Sequence, residues 1–520
     1  MKLPGQWMAL ALMLALIGAV SPAWAQDATA EVAPDVTVLV PHTEEGFGFE
    51  TVVPDGWTSV GNGIYARQSS PTDTTVIAQQ AAPLGAEALL NAILPQLALT
   101  TAPESVGTYA GQALEWTLYA IDVTVGATSI KVDLALAEDG GTTYLVLLQT
   151  SPEGYETLHA GVFLPTLDAF AVLAPEAEEP VPYTVEDVTF ENGDVTLAGT
   201  LTLPPTDGPH PVVVLVTGSG PQDRDEALGG GIAIKPFKLI ADALTRAGIA
   251  VLRYDDRGIG ESTGDFATAT ETDFAADAAA AIDYLLTRDD INPDEIGLLG
   301  HSEGGLIAAV LGASNPDLDF IITMAGPGVN GRDVLLVQNQ RLMQAEGATQ
   351  AQIDEQVAFV EDLLTLLDDP QAMETLMYER ALAQIQSLPE EQQAALGDIE
   401  TYARTSAAQA VQQYATGWFK GFVTYDPAPD WAQITVPVLA LFGGKDVQVD
   451  AEQNAPAVEA ALAEAGNEDY EIVVLPNANH LFQEAGTGGF SEYGALPAEF
   501  LPDFLPTILS WLQAHVTIAG

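Results

Sequence analysis

The sequence predicts an α/β chain whose main body is a mostly parallel sheet with helices on both faces and a helical cap insertion, preceded by a small α+β domain. Three observations carry this. Beyond residue 182, short β-branched apolar runs alternate with segments of helical period; the stretch from 326 to 430 interrupts them without any strand pattern; and APEAEEPVP, residues 174–182, separates all of it from an upstream region of short alternating strands. A chain of 520 residues has room for roughly two or three folding units. With 48% hydrophobic residues it can fill their cores.

Taken in order, the chain opens with Lys2, an apolar run from Met8 to Val20 and the small-x-small pattern Ala23-Trp24-Ala25. This reads as a secretory signal, residues 1–25, with a mature chain beginning near Gln26. Thirteen helical residues would reach about 20 Å, less than the hydrocarbon core of about 30 Å, so no stable membrane anchor is expected after cleavage. The chain has no cysteine, which excludes thiolate nucleophiles, disulfides and Cys-ligated metals and suits an exported protein. Its 73 Asp plus Glu against 16 Lys plus Arg, a net charge of −57, argues against nucleic acid as a partner.

Residues 26–173 form the small α+β domain. Lys131 to Ala137 alternates polar and apolar, and Asp139-Gly140-Gly141 turns it into Tyr144 to Leu148, a hairpin pattern. Helices are expected over 85–97 and 155–170. No catalytic pattern occurs here, and the isolated His42 and His159 are expected to pack or face solvent.

After the linker at 174–182, a hairpin opens the second body, 183–325 and 431–520. Val185 to Phe190 and Val195 to Leu203 flank an Asn192-Gly193 turn. Apolar runs follow at Pro211 to Val216, Ile249 to Tyr254, Ile296 to Leu299, Phe320 to Met324, Val436 to Phe442 and Tyr470 to Leu475. Such runs without polar alternation suit strands buried on both faces. Between them, Phe237 to Ala247, Asp273 to Leu286 and Leu306 to Leu311 carry helical spacing. Within 326–430, Ile353, Val357, Val360, Leu364 and Leu367 share one helical face. A helical block of that length between two strands is expected to cap the carboxyl edge of the sheet.

Ligands of open parallel sheets bind beyond the carboxyl ends of the strands, so the loops there are the place to look for chemistry. Two Gly-x-Ser-x-Gly strings occur, at 260–264 and 300–304. A nucleophile elbow needs a strand running directly into the serine and a helix running directly out. Only the second has both, in Ile296 to Leu299 and Leu306 to Leu311, so Ser302 is the candidate nucleophile and Ser262 a loop residue. A serine hydroxyl needs a neighbouring base. Of six histidines, His480 alone follows a strand through a short loop, Pro476 to Asn479. Asp446, just past Val436 to Phe442, is the favoured carboxylate to orient that imidazole, ahead of Asp450. For the oxyanion, the backbone amide after the nucleophile, Glu303, and one from the loop 217–220, Ser219 ahead of Gly220, are the expected donors. Asp223-Arg224-Asp225 and Asp255-Asp256-Arg257 read as salt-bridged loop braces. The stretch Gln483 to Gly494, with Phe490 and Tyr493, reads equally as a pocket rim or a surface loop.

TGSGPQDRDE (217–226), RYDDRGIGES (253–262), GHSEGG (300–305), MAGPG (324–328), FGGKDVQV (442–449) and NHLFQ (479–483) together make the chain resemble the α/β-hydrolase superfamily, and more closely its secreted bacterial carboxylesterase branch, over about 185–516. The resemblance implies ester hydrolysis through an acyl-enzyme, no metal or cofactor, and a helical cap shaping the acyl pocket. Related sequences include serine peptidases and dienelactone hydrolases, but the latter ordinarily use a cysteine that this chain lacks. The expected function is therefore a secreted, extracellular or periplasmic serine esterase acting on a small-molecule ester. A peptidase or amidase with the same triad is the alternative, its cap carboxylates receiving a substrate ammonium. From another class, a silent cell-surface binding protein would use the small domain for recognition.

Overall fold

The computed structural model describes residues 37–518 except 45–46, 62, 68, 70–72, 74, 83–84, 95–98, 100, 126–127, 140–141, 174–179, 229–231, 389–392, 394–397 and 415. The expected signal segment, the Gly140-Gly141 turn and most of the expected linker lie outside the described residues.

Two separate hydrophobic cores form, one from Phe47 to Phe170 and the other from Phe190 to Val516. The first rests on a seven-stranded antiparallel sheet whose long central strands, Glu115–Val125, Thr128–Asp139 and Thr142–Thr150, pair in sequence order. The expected hairpin is the last of these pairings, closing at Asp139 opposite Thr142. Helical turns run from Pro152 to Ala169, starting on a proline that needs no backbone partner at the first helical position. His42 and His159 take packing roles: His42 lies 2.8 Å from the Tyr65 hydroxyl, and His159 Nδ1 lies 2.6 Å from Asp133 Oδ2.

The second core surrounds an eight-stranded sheet: β1 (Thr184–Asn192), β2 (Val195–Leu203), β3 (His210–Val216), β4 (Ala250–Tyr254), β5 (Ile291–His301), β6 (Phe320–Met324), β7 (Val438–Gly443) and β8 (Tyr470–Leu475). Their spatial order is β1-β2-β4-β3-β5-β6-β7-β8, antiparallel through β2–β4 and parallel from there on. Every residue of β3, β4, β6 and β7 is buried, as their mostly apolar runs suit, and His210, Arg253 and Thr323 are buried with them. β8 departs from expectation. It is the edge strand, with only Leu475 buried and Val474 45% exposed, because no further strand among the described residues pairs beyond it.

The chain moves from β3 outward to β4 and returns to β5 on the other side of β3. At such a reversal the loops leaving two neighbouring strands diverge and open a crevice. Here those loops begin at Thr217 and Ser302. Three helices cover the connections: α1 (Pro236–Arg246), α2 (Glu271–Leu286) and α3 (Glu303–Ser314). α2 starts with a capping box, the Thr270 N–H donating to Asp273 Oδ2 at 2.9 Å. α3 carries no one-sided apolar stripe, since eight of its residues from Glu303 to Leu311 are buried in the layer it fills.

Between β6 and β7 the chain is helical, with α4 (Gly331–Ala345), α5 (Gln350–Leu364), α6 (Pro370–Ser387), α7 (Ile399–Tyr414) and α8 (Gly417–Thr424). α5 carries the expected stripe, burying Ile353, Val360 and Leu364. α9 (Ala451–Glu464) then links β7 to β8, and α10 (Phe504–His515) packs its Trp511 ring near Phe320. No helix among the described residues is long and apolar enough to cross a membrane.

Candidate active site

β5 ends at His301 and α3 begins at Glu303, which leaves a single residue, Ser302, to make the turn. It does so at φ +53° and ψ −115°. For a residue with a side chain, such a backbone costs about 1–3 kcal/mol and persists only where its surroundings enforce it. Enforcement comes from both flanks. The Ser302 N–H donates to the Met324 carbonyl at 2.8 Å, and Gly305 N–H donates to the Ser302 carbonyl at 2.9 Å. A Cβ on Gly300 would lie 2.0 Å from the Gly304 carbonyl oxygen, and one on Gly304 would lie 2.2 Å from that of Val216. The glycines of this string are therefore there for close approach. Ser262, in the other string, has no such backbone: its hydroxyl donates to the Asp255 carbonyl at 2.7 Å and accepts from Ala198 N–H at 2.9 Å.

The loops after β7 and β8 are stitched together by backbone bonds. Gly444 N–H donates to Leu475 O and Lys445 N–H to Ala478 O, both at 2.8 Å. The buried Asn479 side chain shapes the second loop by accepting from Leu481 and Gln483 N–H at 3.0 and 2.9 Å. The result brings His480 Nδ1 to 2.7 Å from Asp446 Oδ2, with both residues buried. The other Asp446 oxygen accepts from Gln448 and Val449 N–H at 2.7 and 2.9 Å, so the carboxylate is fixed in place. Asp450 faces elsewhere, capping α9 through Gln453 N–H and pairing with Arg341 at 2.7 Å. Of the ambiguous stretch 483–494, Tyr493 is buried while Phe490 is 39% exposed.

His480 meets the elbow through the residue before Ser302. His301 Nε2–H donates to the His480 carbonyl at 3.0 Å, and the two rings sit 4.7 Å apart. On the opposite flank lies the loop after β3, where a Cβ on Gly218 would be 3.2 Å from that of Ser302. The Ser219 side chain lies close enough to the Glu303 carboxyl to favour its charged form, so the two residues expected to hold the oxyanion are neighbours. As the first residue of α3, Glu303 has a backbone N–H without an acceptor inside the helix.

Buried acids surround this point. Asp256 accepts from the Thr217 hydroxyl at 2.7 Å and Gln222 N–H at 2.9 Å, tying down both ends of the loop after β3. Burial, with Glu303 and Glu226 nearby, pushes its carboxyl well above the ordinary range. The neighbouring acids and arginines do behave as braces, Arg224 pairing with Asp255 and Arg257 with Asp277, both at 2.7 Å. Asp256 is the exception to that expectation, because it faces the site and no arginine. Glu303 itself reaches the helical insertion, where Trp418 Nε1–H on α8 donates to its two oxygens at 2.9 and 3.1 Å. Asp256 and Glu303 both line a cavity of about 20 Å³, room for one water. Neither Asp256 nor Trp418 carries a pattern in sequence that marks a site.

Burial raises the Glu303 carboxyl from 4.5 to about 7, against the hydrogen bond from Trp418 and with a contribution from Glu271. An unfolded chain sheds this proton near 4.5 and the folded one only near 7, so the group favours folding below that window and progressively less through it. Glu303→Gln stays neutral and removes this dependence. Relative to the parent, the variant is expected to gain on the order of 3 kcal/mol between pH 4.5 and pH 8. Denaturant midpoints of both proteins at the two pH values measure it; an unchanged difference would mean the carboxyl is ionised throughout.

Residues 229–484 match the family model described as "Serine aminopeptidase, S33". Over 312 residues the chain is 30% identical to esterase EstD of Thermotoga maritima, covering 59% of this chain and 64% of that protein. The chain thus spans just under two thirds of that relative's length. Among solved structures, an esterase of Pyrococcus furiosus aligns with 64% of this chain and 92% of its own at 15% identity and a TM-score of 0.39. The α/β hydrolase GrgF of a Penicillium species aligns with 64% of this chain and 99% of its own at 17% identity and a TM-score of 0.39.

Proposed function

We propose that this chain is an α/β hydrolase and that it hydrolyses carboxylic esters through an acyl-enzyme formed on Ser302. In this reading His480 takes the Ser302 proton as the hydroxyl oxygen bonds the acyl carbon, and Asp446 holds the imidazole in the tautomer that can do so. The oxyanion of the tetrahedral intermediate is met by the backbone N–H groups of Ser219 and Glu303. Collapse expels the alcohol, which takes its proton from His480. Water then attacks the acyl group, again deprotonated by His480, to release the acid and restore the serine. The helical insertion acts as a cap, its Trp418 reaching the wall of the site at Glu303. The apolar run Met8 to Val20 and the absence of cysteine support export of the enzyme.

The observation that carries the reading is the buried 2.7 Å contact of His480 with Asp446, with the His480 carbonyl 3.0 Å from His301, the residue before the one strained serine of the two Gly-x-Ser-x-Gly strings. Amide or peptide hydrolysis with the same residues is the second reading, favoured by the description of the matching family model. Purified protein offered p-nitrophenyl esters of graded acyl length and aminoacyl anilides separates them. Esters are expected to turn over faster, with Ser302→Ala as the control; faster anilide turnover would reverse the assignment, and no turnover of either would refute hydrolysis.

A further inference from the structure

One carboxylate outside the candidate triad touches both flanks of Ser302. Glu226 is wholly buried and holds a φ of +56°, a backbone that its surroundings must impose on a residue with a side chain. Its N–H closes a turn onto the Asp223 carbonyl at 2.9 Å. Its Oε1 accepts from Gly218 N–H at 3.2 Å, in the loop that carries Ser219, and lies 2.6 Å from His301 Nδ1. His301 passes the contact on, its Nε2–H donating to the His480 carbonyl at 3.0 Å. A single oxygen thus connects the loop meant for the oxyanion with the backbone of the base, running behind the nucleophile.

The proton count explains why a carboxylate is needed there. The His480 carbonyl only accepts, so His301 Nε2 keeps its hydrogen, and the contact between Nδ1 and Oε1 requires one more proton between them. Wherever that proton rests, the pair is neutral overall, and Oε1 keeps a lone pair for Gly218. The Glu226 carboxylate outweighs the effect of burial on His301, holding its imidazole above the ordinary value. Glutamine cannot substitute. With its oxygen toward Gly218, it faces the bare Nδ1 of a neutral His301; with its NH₂ group toward Nδ1, it leaves the Gly218 N–H without an acceptor.

We propose that Glu226, acting through His301, is a positioning residue that holds the oxyanion loop and His480 in register around Ser302. This rests on the hydrolase reading above. The test uses the full chain and its Glu226→Gln, His301→Gln and double variants. Active sites are counted with a fluorophosphonate carried to completion, and ester turnover is expressed per counted site. Each single variant is expected to lose about 10²-fold in kcat per site with KM within about twofold, the effect of small misplacements around a reacting centre. The double variant should lose little more than the worse single one, because both break the same tie. A merely structural role would lower the number of sites and leave kcat per site intact. Parent-like kcat per site in Glu226→Gln overturns the proposal, and if that variant does not fold, the same result in His301→Gln does so. A parent chain that neither reacts with the fluorophosphonate nor turns over ester refutes the hydrolase reading instead, and this proposal falls with it.

Discussion

In the Ser302→Ala variant, ester turnover is expected to fall by about 10⁶-fold, to the residual rate that binding and oxyanion donors alone sustain. The size of the effect follows from the chemistry: without the hydroxyl no acyl-enzyme forms, and His480 has no proton to take. The fold should tolerate the change, since the bonds that hold the elbow are backbone bonds, to Met324 and Gly305, that alanine also makes. Ser262→Ala is the informative comparison. It removes a buried hydroxyl bridging Asp255 and Ala198, so it should cost about 1–3 kcal/mol of stability and leave turnover per folded molecule nearly unchanged. Rates from the two variants, corrected for folded fraction, check both expectations; activity within about tenfold of the parent in Ser302→Ala would remove the nucleophile from the account.

Asp446→Asn is expected to lower kcat by about 10⁴-fold with little loss of structure. The asparagine oxygen can still accept from Gln448 and Val449 N–H, which leaves its NH₂ group pointing at His480 Nδ1. That imidazole must then accept at Nδ1 and carry its hydrogen on the other nitrogen, where the serine proton should go. The wrong tautomer is the whole defect. Asp450→Asn serves as control, because asparagine caps a helix as well as aspartate does and only the Arg341 pair is lost. Steady-state kinetics of the two variants decide between the acids: if Asp450→Asn is the impaired one, Asp446 has been misassigned.

Much of this architecture could be read ahead of the structure, and for physical reasons. Strands buried on both faces announce themselves as predominantly apolar runs, and β3, β4, β6 and β7 did. β8 misled because Tyr470 to Leu475, with Glu471 its one charged residue, is still mostly apolar although it lies at an edge; a run of residues records hydrophobicity and not the number of neighbouring strands. At the elbow, glycine spacing was informative since a Cβ on Gly300 or Gly304 would lie 2.0 or 2.2 Å from a backbone oxygen, which leaves no alternative to glycine. The choice of Asp446 over Asp450 followed from nearness to the strand end, and Asp446 is the one that faces His480. What could not be read was the ring of buried acids. Glu226 and Asp256 sit in strings rich in Asp and Arg where neighbours such as Asp255 form arginine-paired braces, and only three-dimensional packing separates a carboxylate that meets an arginine from one that meets none. Trp418 lies in a helical stretch where an aromatic residue ordinarily signifies core, and its bond to Glu303 spans 115 positions of sequence.

The central claim is that one activated serine, Ser302, does the chemistry with His480 as its base. Peptide mass mapping after brief exposure to a fluorophosphonate tests it most directly. A single phosphonyl group on the peptide containing Ser302, appearing in step with loss of ester turnover and absent when His480 is replaced by alanine, is the predicted result. Modification at Ser262 or another serine, or full ester turnover by a chain whose Ser302 is left unmodified, would contradict it.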